Sequence, residues 1–134
     1  LGLDERVTEY LDMSWMLPEP GQGALAVEGR ADDGETLKLA GALEDPISRA
    51  CVEAERSFLR ALGGGCRVPI AAYASCADGR LALAGAVIRT DGHEELRGTA
   101  EGPMTDPVAL GNRLAGELLQ QGARNLLEAT REEG

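Results

Sequence analysis

Between residues 45 and 62 the apolar positions fall at helical spacing. Ile47, Cys51, Ala54, Phe58 and Leu62 share one face, while Arg49, Glu53, Arg56 and Arg60 fall largely on the other. Asp45 and Pro46 mark the start: an N-cap, then a residue whose missing N–H costs nothing in the first turn. Gly63 marks the end, because glycine accepts the left-handed conformation that terminates helices. The period then changes. "VPIAAYASCA" (68–77) and "LALAGAVIRT" (81–90) are apolar and partly alternating, with an Asp78-Gly79 turn between them. A second pair, Asp91-Gly92, leads into "EELRGTAEG" (94–102), which completes an antiparallel meander. Asp106-Pro107 repeats the cap-then-proline signal. Val108, Leu110, Leu114, Leu118 and Leu119 form its stripe, Gly122 stops it, and "ARNLLEATREE" (123–133) makes a short last helix. The order predicts an α+β fold, a three-stranded antiparallel sheet with helices covering one face.

The first 40 residues read differently. Residues 1–23 are irregular, and "LPEPGQGA" (17–24) packs two prolines and two glycines into eight positions, the mark of a tight loop or hinge. "ALAVEGR" (24–30) predicts a short strand and "DDGETLKLAGAL" (32–43) a short helix. Residues 1–40 do not have the look of an independent domain; they have the look of the end of something larger.

Composition narrows the function classes. Of 134 residues, 43% are apolar, too many for a disordered tail. The four aromatics are Tyr10, Trp15, Phe58 and Tyr73, so the core must come from Leu, Val, Ile and Ala. A net charge of −10 argues against nucleic acid or an anionic membrane as the main partner. No apolar run reaches the length of a membrane span. Three cysteines without a CxxC pair, and one histidine, suggest neither a disulfide framework nor a zinc site, and fit free thiols in a reducing cytosol.

Two stretches carry chemistry. Cys51 sits on a helical stripe and Cys76 in an apolar strand, both positions for packing, and His93 lies beside a turn. Cys66 differs, because "GGGCRVPI" (63–70) puts it in a loop after a helix end. Arg67 beside it favours the thiolate, and the glycines let a bulky group approach the backbone. An incidental cysteine in a connector, a nucleophile, a redox thiol and an attachment point all fit these local features. No histidine is near in sequence to serve as a base. In "PEPGQGAL" (18–25), Gln22 between two glycines is placed either to shape a hinge or to offer its amide to a ligand.

Taken together, these stretches resemble the C-terminal portion of the porphobilinogen deaminase (hydroxymethylbilane synthase) family. The matching motifs, in order, are Gly21-Gln22-Gly23-Ala24, Glu28-Gly29-Arg30, Glu55-Arg56-Ser57-Phe58 and Gly64-Gly65-Cys66-Arg67-Val68-Pro69-Ile70. Ala71 stands where the family usually has glycine. The resemblance implies a dipyrromethane cofactor joined to Cys66 by a thioether, priming the stepwise condensation of four porphobilinogens with loss of ammonia. Gly64, Gly65, Arg67, Gln22, Gly23 and Arg6 are the implied cofactor-binding residues, with Arg30 a weaker candidate. It also implies that 1–23 ends a second domain, 24–40 returns to a first, and 41–134 is the cofactor-anchoring third domain. The catalytic aspartate would lie in absent N-terminal domains of the same chain, leaving this part inactive alone. The expected setting is a cytoplasmic protein, monomeric at full length, whose partners are porphobilinogen and its pyrrole oligomers. Two other classes compete: an acidic α+β interaction module for a basic partner, and a thiol-redox protein using Cys66.

Overall fold

A computed structural model of the chain describes residues 2–64 and 69–132, with side chains up to residue 129. After one 3-10 turn at Asp4–Arg6, the elements run α1 (Gly34–Gly41), α2 (Pro46–Ala61), β1 (Ile70–Ala77), β2 (Arg80–Ile88), β3 (Glu95–Pro103), α3 (Pro107–Gln120) and α4 (Ala123–Glu132). The strands form an antiparallel sheet in the order β1-β2-β3. Helix starts follow the sequence: the Asp33, Asp45 and Asp106 side chains accept from the N–H groups of Thr36, Ser48 and Ala109 at 3.0, 2.8 and 3.4 Å. Asp78 (φ +50°) and Gly79 (φ +72°) are both left-handed, as a two-residue hairpin requires. The longer β2–β3 connection is pinned by Arg89, whose guanidinium bonds to Asp91 and, at 3.0 Å, to Glu94. That pairing holds the Asp91 carboxyl down to about 2.

The core lies between one sheet face and the helices. Ile70, Ala72 and Ala74 of β1 and Leu81, Leu83 and Val87 of β2 meet Ala54 and Phe58 of α2 and Leu110, Leu114 and Leu118 of α3. With a single phenylalanine to fill space, close backbone approach does the rest. A Cβ on Gly111 would sit 2.3 Å from the Ala54 carbonyl oxygen, so α3 lies directly on α2. A Cβ on Gly85 would sit 2.5 Å from the tip of the Phe58 ring, so the ring rests on the bare strand.

Two expectations change. No strand forms over 24–30: Leu25 is 99% exposed and Val27 62%, and no neighbouring strand among the described residues pairs with this segment. Ile47 and Val108 are about half exposed, and Ala50 on α2 and Pro107 and Leu110 on α3 are the first buried residues of the two helices. The remaining sheet face is uncovered along the rows Tyr73–Ala84–Thr99 and Ser75–Ala82–Glu101, where it forms a shallow depression.

Candidate functional site

Residues 18–24 form consecutive tight turns. The Gln22 N–H donates to the Glu19 carbonyl at 3.0 Å, and the Ala24 N–H to that of Gly21 at 3.2 Å. Gly21 (φ +79°) and Gly23 (φ +82°) hold left-handed backbone that other residues adopt only under strain. The exposed Gln22 side chain turns inward, its carboxamide oxygen accepting from the Glu19 N–H at 3.2 Å. It shapes the turn as well as decorating it. Nothing lies within 4 Å of where a Cβ on Gly23 would project.

This turn caps the free edge of the sheet. β1 pairs with β2 on one side only, so alternate N–H groups on its other side need acceptors. The Ala72 N–H donates to the Pro18 carbonyl at 2.9 Å. The Ala74 N–H donates to Glu55 Oε1 at 2.7 Å, and the Gly21 N–H to Glu55 Oε2 at 2.7 Å. Glu55 thus joins α2, β1 and the turn through one carboxylate that is only 6% exposed. Burial raises its carboxyl pKa, opposed by the two N–H bonds that favour the charged form. Within the sequence, Glu55 stands out only as one letter of a motif. The available signal was its place one turn after Cys51 on the apolar side of α2, where a carboxylate must find donors.

Gly65, Cys66 and Arg67 lie outside the described residues. Both approaches to them are described. Gly63 is left-handed at φ +70°, and the Gly64 N–H donates to the Leu59 carbonyl at 3.0 Å, closing α2. A Cβ on Gly64 would come within 2.5 Å of Leu59 Cδ1 and 2.8 Å of Ile70 Cδ1, so a larger residue there must displace those two side chains. On the far side the Ile88 N–H donates to the Pro69 carbonyl at 2.9 Å.

Of the candidate arginines, Arg6 and Arg30 are among the described residues and both are exposed. Arg6 is exposed in the 3-10 turn, and Arg30 pairs with Asp32 at 2.7 Å on the surface. Arg56, which the motifs do not single out as a ligand, stands beside the turn: a Cβ on Gly21 would lie 3.8 Å from its Nε. Cys51 and Cys76 are half-buried and pack against the core, and burial pushes the Cys51 thiol up. His93 is exposed, its N–H donating to Asp91 Oδ1 at 2.9 Å. Among the described residues no cluster of His, Cys, Asp or Glu is disposed to hold a metal. No helix there is long and apolar enough to cross a membrane.

The class is therefore an α+β domain whose helix–strand loop carries a cysteine and whose sheet edge is capped by a glycine turn. Residues 49–120 match the family model described as "Porphobilinogen deaminase, C-terminal domain". Residues 1–38 match "Porphobilinogen deaminase, dipyromethane cofactor binding domain". The chain is 47% identical over 131 residues to a porphobilinogen deaminase of Desulforudis audaxviator, covering 98% of this chain and 42% of the relative. For those of Thiobacillus denitrificans and Staphylococcus carnosus, identity is 46% and 43%, covering 96% and 97% of this chain and 42% of each relative. The chain belongs to the porphobilinogen deaminase family, and it spans about 42% of the length of these relatives.

Proposed function

We propose that the chain is the C-terminal part of a hydroxymethylbilane synthase and that this part carries the dipyrromethane primer on Cys66. The whole enzyme, on this reading, joins four porphobilinogens into a linear tetrapyrrole and releases ammonia, as a cytoplasmic monomer. Residues 1–23 close its second domain, 24–40 return to its first, and 41–134 anchor the primer. One observation carries the reading. The GQGA turn and the helix that runs into Gly-Gly-Cys, the two motifs of the family resemblance, are bonded to each other through Glu55. The family model named for the cofactor covers that turn, which adds support.

The described surroundings suit a bulky group. Space is open above Gly23, and the helix and strand on either side of the cysteine loop are firmly hydrogen-bonded. Cys66 would hold the group by a thioether: the sulfur lone pair would form the bond to a pyrrole's aminomethyl carbon as the C–N bond breaks, and the thiol proton would leave with the nitrogen as ammonia. Arg67 would favour the thiolate. Arg67 and Arg6 would pair with acetate and propionate arms, for which a guanidinium offers two parallel donors. Gly64, Gly65, Gln22 and Gly23 would leave the approach unobstructed. When bound, the group supplies the primer to which porphobilinogens are added and which stays behind after hydrolysis. Proton transfer to the reacting pyrroles needs a positioned carboxylate. Glu55 already has both oxygens engaged by backbone and is not free for it; on this reading the carboxylate belongs to the N-terminal part of the longer protein.

The test is the intact mass of a longer protein containing this chain, with peptide mapping over residues 63–70. The expected result is an adduct of two pyrrole units on Cys66. A bare thiol in an active protein overturns the reading. The 134-residue chain by itself is expected to consume no porphobilinogen.

A further inference from the structure

We propose that Glu55 is a positioning residue, a latch that fixes the 18–24 turn to the helix and strand flanking the cysteine loop. The idea that this matters to primer chemistry rests on the reading above; the latch itself rests on geometry. The carboxylate reaches two N–H groups that are distant in sequence, Gly21 and Ala74, each at 2.7 Å. Gly21 lies in the part matched by the cofactor-binding model, and Glu55 and Ala74 in the part matched by the C-terminal model. One side chain therefore joins the two.

The other ties across this boundary are backbone or surface contacts. Ala72 N–H reaches the Pro18 carbonyl at 2.9 Å, and Arg97 on β3 donates to the carbonyls of Ser14 and Trp15 at 2.8 and 2.6 Å. No described residue before Ala50 is buried, so apolar packing does little to fix this segment. Its place on the sheet depends on a few polar bonds, and among the described residues Glu55 is the one buried charged side chain that makes such a bond, to the Gly21 N–H.

The carboxylate is also the right group for the task. Two backbone donors converge on it, and only an ionised carboxyl offers a full acceptor to each. Among the described residues no cation pairs with it. Arg56 lies on the turn side and is exposed, while Cys51, one turn back on α2, is half-buried and neutral with its thiol pushed up. Glutamine in its place keeps the shape but sets an NH2 against one of the two N–H groups. Neither donor has another acceptor among the described residues.

The test is amide hydrogen exchange on the chain and on Glu55→Gln. A latch predicts that exchange at Gly21 speeds up by about tenfold or more, the loss of one charge-assisted bond. Exchange at Leu83 in β2 and Leu114 in α3 stays as in the parent. An unchanged Gly21 rate overturns the latch. So does a rise at Gly21 that Leu83 and Leu114 share, since Glu55 would then be one more contributor to the global fold. In the longer deaminase the same substitution is expected to lower kcat several-fold with KM little changed and the two-pyrrole adduct still on Cys66. Full kcat with a released turn overturns the positioning role and leaves the deaminase reading intact. A bare Cys66 in the unsubstituted protein overturns that reading and leaves the exchange result standing.

Discussion

The two ends of this chain use similar residues to opposite effect. From Ala50 onward the apolar side chains close on one another: Phe58, Leu81, Leu114 and Leu118 are fully buried between helices and sheet. Before Ala50 leucines, valines and methionines are plentiful too, yet Tyr10, Leu25 and Leu39 are 79, 99 and 74% exposed. The difference lies in partners, and composition does not reveal it. Each C-terminal element has a face opposite another element's face, so periodicity becomes burial and burial becomes stability. The N-terminal segment has no opposing face among the described residues and is held where a backbone donor meets an acceptor. A core tolerates the loss of one polar contact; such a docked segment does not.

That contrast can be broken first at the core. Phe58→Ala removes the one phenylalanine from a site where its ring rests on the bare Gly85 backbone. The expected loss is about 3–5 kcal/mol, read from urea unfolding, because the rigid strand beneath cannot close the void. A loss under about 1 kcal/mol would mean that the sheet and helices repack freely. Gly111→Ala is next. The new methyl would lie 2.3 Å from the Ala54 carbonyl, so α2 and α3 must separate, at about 1–3 kcal/mol. Gly116→Ala on the same helix meets nothing within 4 Å and is expected to stabilise by up to about 1 kcal/mol. Opposite signs for the two alanines would locate the helix contact; equal signs would dismiss it.

The same contrast explains what the sequence made legible. α2, α3 and the three strands follow from Asp45-Pro46, Asp106-Pro107, the Asp-Gly turns and the apolar periods, because those patterns record the faces that meet. The strand read into 24–30 failed for the complementary reason. Its alternation is real, but a strand needs a neighbour, and pattern alone does not say whether one is present. Of the candidate site, the GQGA turn was visible through its glycines. Its docking partner was not, since the Glu55 bonds to Gly21 and Ala74 span 34 and 19 residues and leave no local trace. Gly64 was read as room for a ligand, and the structure supplies a packing reason from Leu59 and Ile70. Cys66, Gly65 and Arg67 lie outside the described residues.

A pH titration sharpens the comparison at the seam between the two regions. Burial raises the Glu55 pKa above its ordinary value of 4.5, so the folded chain holds that proton more tightly than the unfolded one. The contribution is fully present below the unfolded value and is lost as pH rises through the folded one. Above that, this group adds no further pH dependence. Glu55→Gln cannot ionise and lacks the decline. Subtracting its unfolding free energy from the parent's, from acid toward neutral pH, is expected to leave a fall. A rise over that range would mean that the two N–H bonds outweigh desolvation.

The smallest effect belongs to the most exposed side chain. Leu25 follows the docked turn directly and is 99% exposed, so Leu25→Ser removes no contact that the chain makes with itself. Urea unfolding of this variant is expected to match the parent within about 0.5 kcal/mol, the range of ordinary surface substitutions. The same change at Leu83, in the sheet, would bury a hydroxyl where a methyl cluster stood and cost several times more. A Leu25→Ser loss above about 1 kcal/mol would mean that 24–30 finds a partner within the chain, and the contrast between a packed end and a docked end would fail. If the loss appears only in the longer deaminase, the leucine faces the parts of the protein that this chain lacks, and the exposed apolar residues before Ala50 are an interface awaiting them.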